Sequence, residues 1–436
     1  MSDNSMLQKA VNRKFRKLAP ALRIEALKDA GYLSAQQAQA WHEQEYALGL
    51  ESADRMIENV MATFAFPQGV ALNFPLNKRL YQVPMVVEEP SVVAALSYVA
   101  LLAEKHGGFS ASADAGVIKG QIQFVALEDV AAAEAAVLKE AEALVEEANS
   151  LMPAMLERGG GVRKLTTARF IGPNSGEPML VVYLSVDTCD AMGANQVNSL
   201  CEALAPRLQA LIGGEPLLKI LSNLADEALA RAEVSFPVSA LAIKDMGGEQ
   251  LRDRIVMAND LALMDPYRAC THNKGIMNGI DALALATGND WRSVEAAAHA
   301  YAARDGHYRA LTQWRKDENG NLKGSIELPI KIGTVGASLL SNAQVKPNQQ
   351  LLGIESAPEL ASLMAAVGLA QNFAALRALA SSGIQHGHMR LHARSVALSA
   401  GCPDALFEAL VQRLVKEPEI KVWRAKEIIA ELQANV

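Results

Sequence analysis

Apolar and polar positions along the chain fall into segments of helical and strand period, and the changes of period outline the fold. Ser34-Ala35-Gln36-Gln37 has the spacing of a capping box and predicts a helix start. That helix and the one holding Met56 and Ile57 form a helical lead-in. From Glu58 to Phe74 the run ENVMATFAFPQGVALNF mixes small and apolar residues around Pro67 and Gly69, which predicts a loop leading into a strand. Val92 onward predicts a helix with Pro90 in its first turn. GQIQFVAL from Gly120 and MLVVYLSVD from Met179 are strand-like, with an Ala/Glu-rich helix predicted from Glu128 to about Ala148 and another helix starting near Ala194. Strands and helices in β-α-β-β-α order make a small split βαβ, ferredoxin-like module. Further on, Ala282 to Ala286 and Val294 to Ala303 predict packed helices, Glu318-Asn319-Gly320 a hairpin reversal, and Gly333 to Gly336 a tight turn. Leu360 to Leu379 is an Ala/Leu-rich helix, and a Lys/Glu-rich helix ends the chain.

Composition narrows the function classes. A length of 436 residues predicts two or three domains, and a 50% hydrophobic content supports a sizeable core. A net charge of −7 argues against a general nucleic-acid binder. Cys189, Cys201, Cys270 and Cys402 have no paired spacing, so reduced thiols in a cytoplasmic protein are expected. No signal peptide is recognised at the start, and the apolar run Val92 to Ala103 is too short for a bilayer.

Candidate chemistry concentrates between Met264 and Arg292, MDPYRACTHNKGIMNGIDALALATGNDWR. Its many Asn and Gly residues suggest a chain that turns tightly and presents polar tips. Lys274 is suited to polarise a carbonyl and hold a developing oxyanion. Asp290 follows a short apolar run that could return it to Lys274, where a carboxylate would keep the ammonium charged and aimed. Residue types alone leave this open against a surface Lys–Asp pair in a Gly-rich loop. Glu88 and Glu89 precede Pro90 and Ser91; a helix N-terminus there favours the carboxylate, burial the acid. Asp190-Ala-Met-Gly-Ala-Asn195 precedes a predicted helix, whose unpaired N–H groups suit a pyrophosphate, although no G-x-G-x-x-G is present. Lys9, Arg13, Lys14, Arg16 and Lys17 make the start basic: a solvated tail or a phosphate contact. His386, His388 and His392 invite a metal reading, but without H-E-x-x-H or a third ligand none is assigned.

Taken together, DPYRACTHNKGIMNGID with ATGNDWR resembles the lysine and aspartate region of the 3-hydroxy-3-methylglutaryl-CoA (HMG-CoA) reductases, most closely the soluble bacterial, second-class branch. ENVMATF, VPMVVEEPSVVAA, DAMGANQVN, LSNLAD, GLAQNFAALRALA and GIQHGHMRLHARS extend the resemblance, in order, over nearly the whole chain. It implies an α+β protein: a large, mainly helical substrate and dimerisation domain (1–114 and 220–380), an inserted ferredoxin-like nucleotide domain (115–219), and a mobile C-terminal helical flap (381–436). The catalytic positions it implies are Glu89, Lys274, Asp290 and His388. Ser91, Arg268, Asn278 and Arg16 would hold substrate; Asp190, Met192, Gly193, Asn195, Asn223 and Gln371 would line the dinucleotide site. Ala62 departs from the glycine usual there.

The implied reaction is the four-electron reduction of HMG-CoA to mevalonate and CoA with two NAD(P)H, or its reverse, with no metal. NAD-preferring relatives carry an acid where Met152 stands, and Arg158, Arg163 and Lys164 are near in sequence, so NADP(H) is favoured over NAD(H). The resemblance implies a homodimer or higher homo-oligomer, and small-molecule partners rather than nucleic acid or membrane. The competing classes are a CoA-ester hydrolase and a non-catalytic CoA or nucleotide sensor; the first lacks a nucleophile signature, and the second would be expected to lose catalytic side chains.

Overall fold

A computed structural model describes residues 10–336, 339, 341–381 and 384–434, with residues 13 and 384–391 described by backbone alone. Among these residues the strands form three antiparallel sheets. β1 (Gln68–Leu76) and β2 (Arg79–Val86) make a two-stranded hairpin. β3 (Ser110–Ala113), β8 (Leu229–Phe236), β9 (Thr312–Lys316) and β10 (Leu322–Pro329) form a sheet ordered β3-β8-β10-β9. The hairpin between β9 and β10 turns through Asp317, whose carboxylate accepts the backbone N–H of Asn319 and Asn321.

The third sheet contains β4 (Val117–Val125), β5 (Gly161–Ile171), β6 (Pro178–Asp187) and β7 (Glu215–Leu221), ordered β5-β6-β4-β7. All three pairings are antiparallel, which is the split βαβ arrangement the segment order predicts. β4 alternates between half-buried and buried positions, so Ile118, Ile122 and Phe124 face helices on one side. The Ala/Glu-rich stretch is two helices, Val130–Lys139 and Ala141–Ser150, broken at Glu140, rather than one. Asp129 starts the first by accepting the N–H of Ala131 and Ala132. β7 pairs with β4 along its length, ending with Leu221 opposite Gly120.

The larger unit is built around the core helix, Ala357–Ala380. It is largely apolar and buried on nearly every side, as a helix enclosed by other elements must be. By length and composition it could cross a membrane, but here Leu360, Met364, Leu369 and Phe373 lie in the interior of the fold. Against it crosses Pro266–Ala286, the lysine helix. A Cβ on Gly279 would fall 2.5 Å from Gln371 Cγ, and one on Gly368 2.8 Å from Ile280 Cδ1. Glycine on both partners lets the two backbones meet more closely than any side chain would allow. Three further helices, Ile384–Ser399, Phe407–Leu414 and Val422–Ala434, close over their own small core of Val396, Leu410, Leu414 and Ile428.

Candidate active site

The stretch from Met264 to Arg292, which its Asn and Gly content suggested would turn repeatedly, is mainly a single helix of 21 residues. Asp265 caps it by accepting the N–H of Arg268 (2.8 Å), and Pro266 occupies its first turn. His272 and Asn273, which looked like chemistry, are buried pins. Asn372 Oδ1 accepts from Trp314 Nε1 (2.8 Å) and Thr312 Oγ1 (3.0 Å), leaving its Nδ2 to donate to His272 Nε2 (2.9 Å). Burial, helped by the charge of Arg268, pushes the imidazole down to about 3, so it stays neutral. Asn273 donates to the carbonyl of Arg309 and accepts the N–H of Leu311. With its inner face fixed, the helix presents Lys274 and, one turn later, Asn278 on its outer side.

Lys274 Nζ forms an ion pair with Glu89 Oε2, although the lysine side chain is 60% exposed in the single chain. Glu89 lies between β2 and the helix Val92–Glu104. Ser91 caps that helix in the left-handed region, at φ 82°, so Pro90 lies before the helix rather than in its first turn. A serine held there is strained, which is common where a local geometry serves a site. Gln371 is 5% exposed, and its Nε2 donates to the carbonyl of Val92 (2.7 Å), beside the Gly279 crossing. Its amide is thus spent inside the protein, pinning the Glu89–Ser91 corner to the two crossing helices.

Asp290 does not join this pair within the chain. It caps the helix Trp291–Ala302, accepting the N–H of Ser293 (3.2 Å), and lies 3.7 Å from Arg292. Twelve residues of helix separate Lys274 from the helix end at Ala286, roughly 18 Å at 1.5 Å per residue. Asn289 N donates to the carbonyl of Ala284 (2.9 Å), which keeps Asp290 at that far end. The apolar run that could have turned the chain back is helical and carries it away.

A cavity of about 880 Å³ opens beside the corner. Arg16 and Ser91 both line it, as do Arg23, Trp41 and Tyr98. Arg23 Nε is buried without a hydrogen-bond partner. Arg268 is half-buried, and burial lowers its affinity for a proton; among the described residues it has no carboxylate partner.

The Asp190–Asn195 turn lies at the opposite end of the core helix. Asp190 Oδ1 accepts the N–H of Ala357 (2.7 Å), and Asn289 Oδ1 accepts that of Gly333, which packs on the peptide before Met192. Asp190 is therefore committed to holding the turn. Gly193, at φ 84°, caps the helix Ala194–Ile212, and no side chain caps it. A Cβ there would fall 2.4 Å from Thr188 Cγ2. The glycine makes room for Thr188, and the first amides of the 19-residue helix have no side-chain cap; this donor set fits a pyrophosphate. Asn195, in the first turn of this helix, and Asn223, two residues after β7, are exposed. Arg163 is engaged by Asp187 (3.1 Å), while Arg158 and Lys164 have no ion-pair partner among the described residues. The side chain of His388 lies outside the described residues; its backbone is in the helix Ile384–Ser399.

Residues 19–393 match the family model for hydroxymethylglutaryl-coenzyme A reductase. The chain belongs to that family. It is 44% identical over 420 residues to 3-hydroxy-3-methylglutaryl-coenzyme A reductase of Archaeoglobus fulgidus, covering 96% of this chain and 94% of that one. The structure of the Streptococcus pneumoniae reductase is 40% identical, with a TM-score of 0.82 over 96% of this chain and 99% of that one. A class II reductase from Streptococcus pneumoniae, bound to NADPH in open conformations, matches with a TM-score of 0.80 at 40% identity, covering 95% of this chain and all of that one. These likenesses place the chain on the class II branch of the HMG-CoA reductases, with an oxidoreductase's chemistry. The sequence reading missed Arg23, the carboxyl pair of Asp281 and Glu295, and Lys331. Of these only Lys331 left a trace, as a lone cation between Ile330 and Ile332.

Proposed function

We propose that the protein is a working, NADP(H)-dependent HMG-CoA reductase of the cytoplasm, reducing HMG-CoA to mevalonate and CoA. The observation that carries this reading is the Lys274–Glu89 pair set beside Ser91, at the edge of a cavity whose wall carries Arg16 and Arg23. A CoA thioester matches those features: anionic phosphates for the arginines, an apolar arm for the cavity, and a carbonyl for the ammonium. The bound dinucleotide supplies hydride. Lys274 stabilises the charge that grows on the thioester oxygen, and Glu89, which must take up a proton first, relays it to that oxygen. Arg268 holds the substrate carboxylate, with Ser91 and Asn278 on its hydroxyl side. His388 protonates the departing thiolate, a role suited to an imidazole as general acid. Arg158 and Lys164 favour a 2′-phosphate, and Asn195, Asn223 and Met192 border the dinucleotide. The domain limits are those of the motifs: residues 1–114 and 220–380 for substrate, the insert from 115 for the nucleotide, and 381–436 for the flap. The decisive assay follows NADPH absorbance with HMG-CoA present. Two NADPH should disappear for each CoA thiol released; thiol release without NADPH loss would mean a hydrolase, and neither would mean a binding protein.

One chain leaves this site open: Lys274 is largely exposed, and Asp290 with the dinucleotide turn is at the other end of the helix pair. A second copy completes it. Met61 (90% exposed) and Phe64 (87%) on the loop before β1, with Met264 at the end of the helix Gly248–Met264 and Tyr267 on the lysine helix, are apolar groups that a partner would cover. Asp290 then serves Lys274 of the other subunit. Mixing Lys274→Ala with Asp290→Ala chains, each inactive alone, should restore roughly a quarter of wild-type activity, because half the dimers would be mixed and each would carry one intact site. No recovery after confirmed subunit exchange would place both residues in one chain's site.

A further inference from the structure

Lys331 follows β10 and is 5% exposed. Buried lysines are rare unless paired, yet no carboxylate lies within ion-pair distance of this one among the described residues. Its Nζ donates to the carbonyl of Ala191 (2.8 Å), which also accepts from Thr188 Oγ1 (2.7 Å). On the other side it meets the backbone at Gly116, where a Cβ would fall 2.6 Å from Nζ, so the chain is glycine at that contact. The ammonium thus lies between the entry to the nucleotide module and the turn that leads, through Met192 and Gly193, to the uncapped helix tip.

The charged groups around it come from every neighbouring segment. Asp187, Cys189 and Asp190 approach from the end of β6. Asp187 is already paired with Arg163, and Asp190 is bonded to Ala357. Asp114, across the small cavity that Lys331 lines, is paired with Arg231. Glu359, in the first turn of the core helix, is paired with Arg79. The nearby acids therefore have other partners, and burial lowers Lys331 to about 8. The Cys189 thiol is pushed up by its own burial and stays neutral there.

We propose that Lys331 is a positioning residue for the dinucleotide: it braces the Ala191 carbonyl and places one positive charge beneath the pyrophosphate end of the turn, so that an anionic dinucleotide binds with uptake of a proton by this amine. This rests on the dinucleotide reading of the turn. An anion nearby favours the ammonium, so the bound form holds its proton to higher pH than the free form. Affinity should therefore be highest below about pH 8 and fall as pH rises through that value. The 2′-phosphate ionises well below this window and does not compete.

The test is titration of NADPH into the full-length protein without HMG-CoA, followed by nucleotide fluorescence and by calorimetry, from pH 6.5 to 9.5. The dissociation constant should rise about three- to ten-fold across pH 7.5 to 9.5, and at pH 8.5 the observed heat should depend on the buffer's ionisation enthalpy in the direction of proton uptake. Lys331→Met should bind several-fold more weakly at pH 7 and lose most of the pH dependence, without change in the melting temperature of the large unit. A wild type that binds NADPH with a flat profile and no buffer dependence would overturn the role of Lys331 and leave the reductase reading intact. No NADPH binding at all would instead defeat the reductase reading.

Discussion

Lys274→Ala should lose at least about a thousand-fold in kcat while the protein melts at the wild-type temperature. The size follows from what the amine does. A single neutral donor to a developing oxyanion is worth about 10² to 10³ in rate, and a full charge in a site closed to water is worth more. The unchanged stability follows from where it sits. The side chain is 60% exposed and its partner Glu89 is 41% exposed, and exposed ion pairs contribute about 0–1 kcal/mol. The helix beneath is held by His272, Asn273 and the Gly279 crossing, none of which touches the amine. Both reductive steps should fail together, because thioester and aldehyde each develop charge on oxygen, so mevaldehyde will not rescue the variant. Lys274→Arg should be nearly as inactive, since a guanidinium fork spreads its charge and does not donate from one point. Initial rates of NADPH oxidation with each substrate, beside a thermal melt, check this. Near-normal turnover would remove Lys274 from the reaction.

What the sequence made legible divides along physical lines. The small module was readable because its strands alternate at period two, so Gly120 to Leu127 overlaps β4, which ends at Val125, and Met179 to Asp187 falls within β6. The capping box at Ser34 was readable because its two hydrogen bonds need those residue types. The lysine helix was misread because Asn and Gly are weak helix formers, and here tertiary packing overrides propensity: Asn273 is satisfied by the strand entry at Leu311, and Gly279 by the core helix. Its start was in fact written in Asp265 and Pro266. The distance between Lys274 and Asp290 followed from the same error, since a loop could return and a helix cannot. The cation-lined cavity depended on contacts between residues such as Arg16 and Ser91, which no local pattern records.

Asp281→Asn should stabilise the protein, and by more at alkaline pH than at acid pH. Asp281 is on the lysine helix, with Oδ1 buried and without a partner, facing Glu295 on the helix that Asp290 caps. His299 Nε2 lies 2.8 Å from Glu295 and holds that carboxyl below its ordinary range, while His299 Nδ1 meets the hydroxyl of Tyr308 (2.7 Å). The proton of the carboxyl pair therefore resides on Asp281, pushed up to about 9 by burial first and by Glu295 second. In the unfolded chain the same group titrates near 3.8. Folding thus takes up a proton, so this residue's contribution is fully present below about pH 4 and is lost progressively as pH climbs through 9. Asparagine keeps the shape, donates to Glu295 and does not titrate. After relaxation and solvent screening, about 2–4 kcal/mol of the penalty should remain at pH 8.5, a gain of several degrees in melting temperature that shrinks toward pH 5. Melting curves of both proteins across that range decide it: a constant gap would mean that Asp281 has no raised affinity for a proton, and a less stable variant at pH 8.5 would mean that the pair is worth more ionised than neutral.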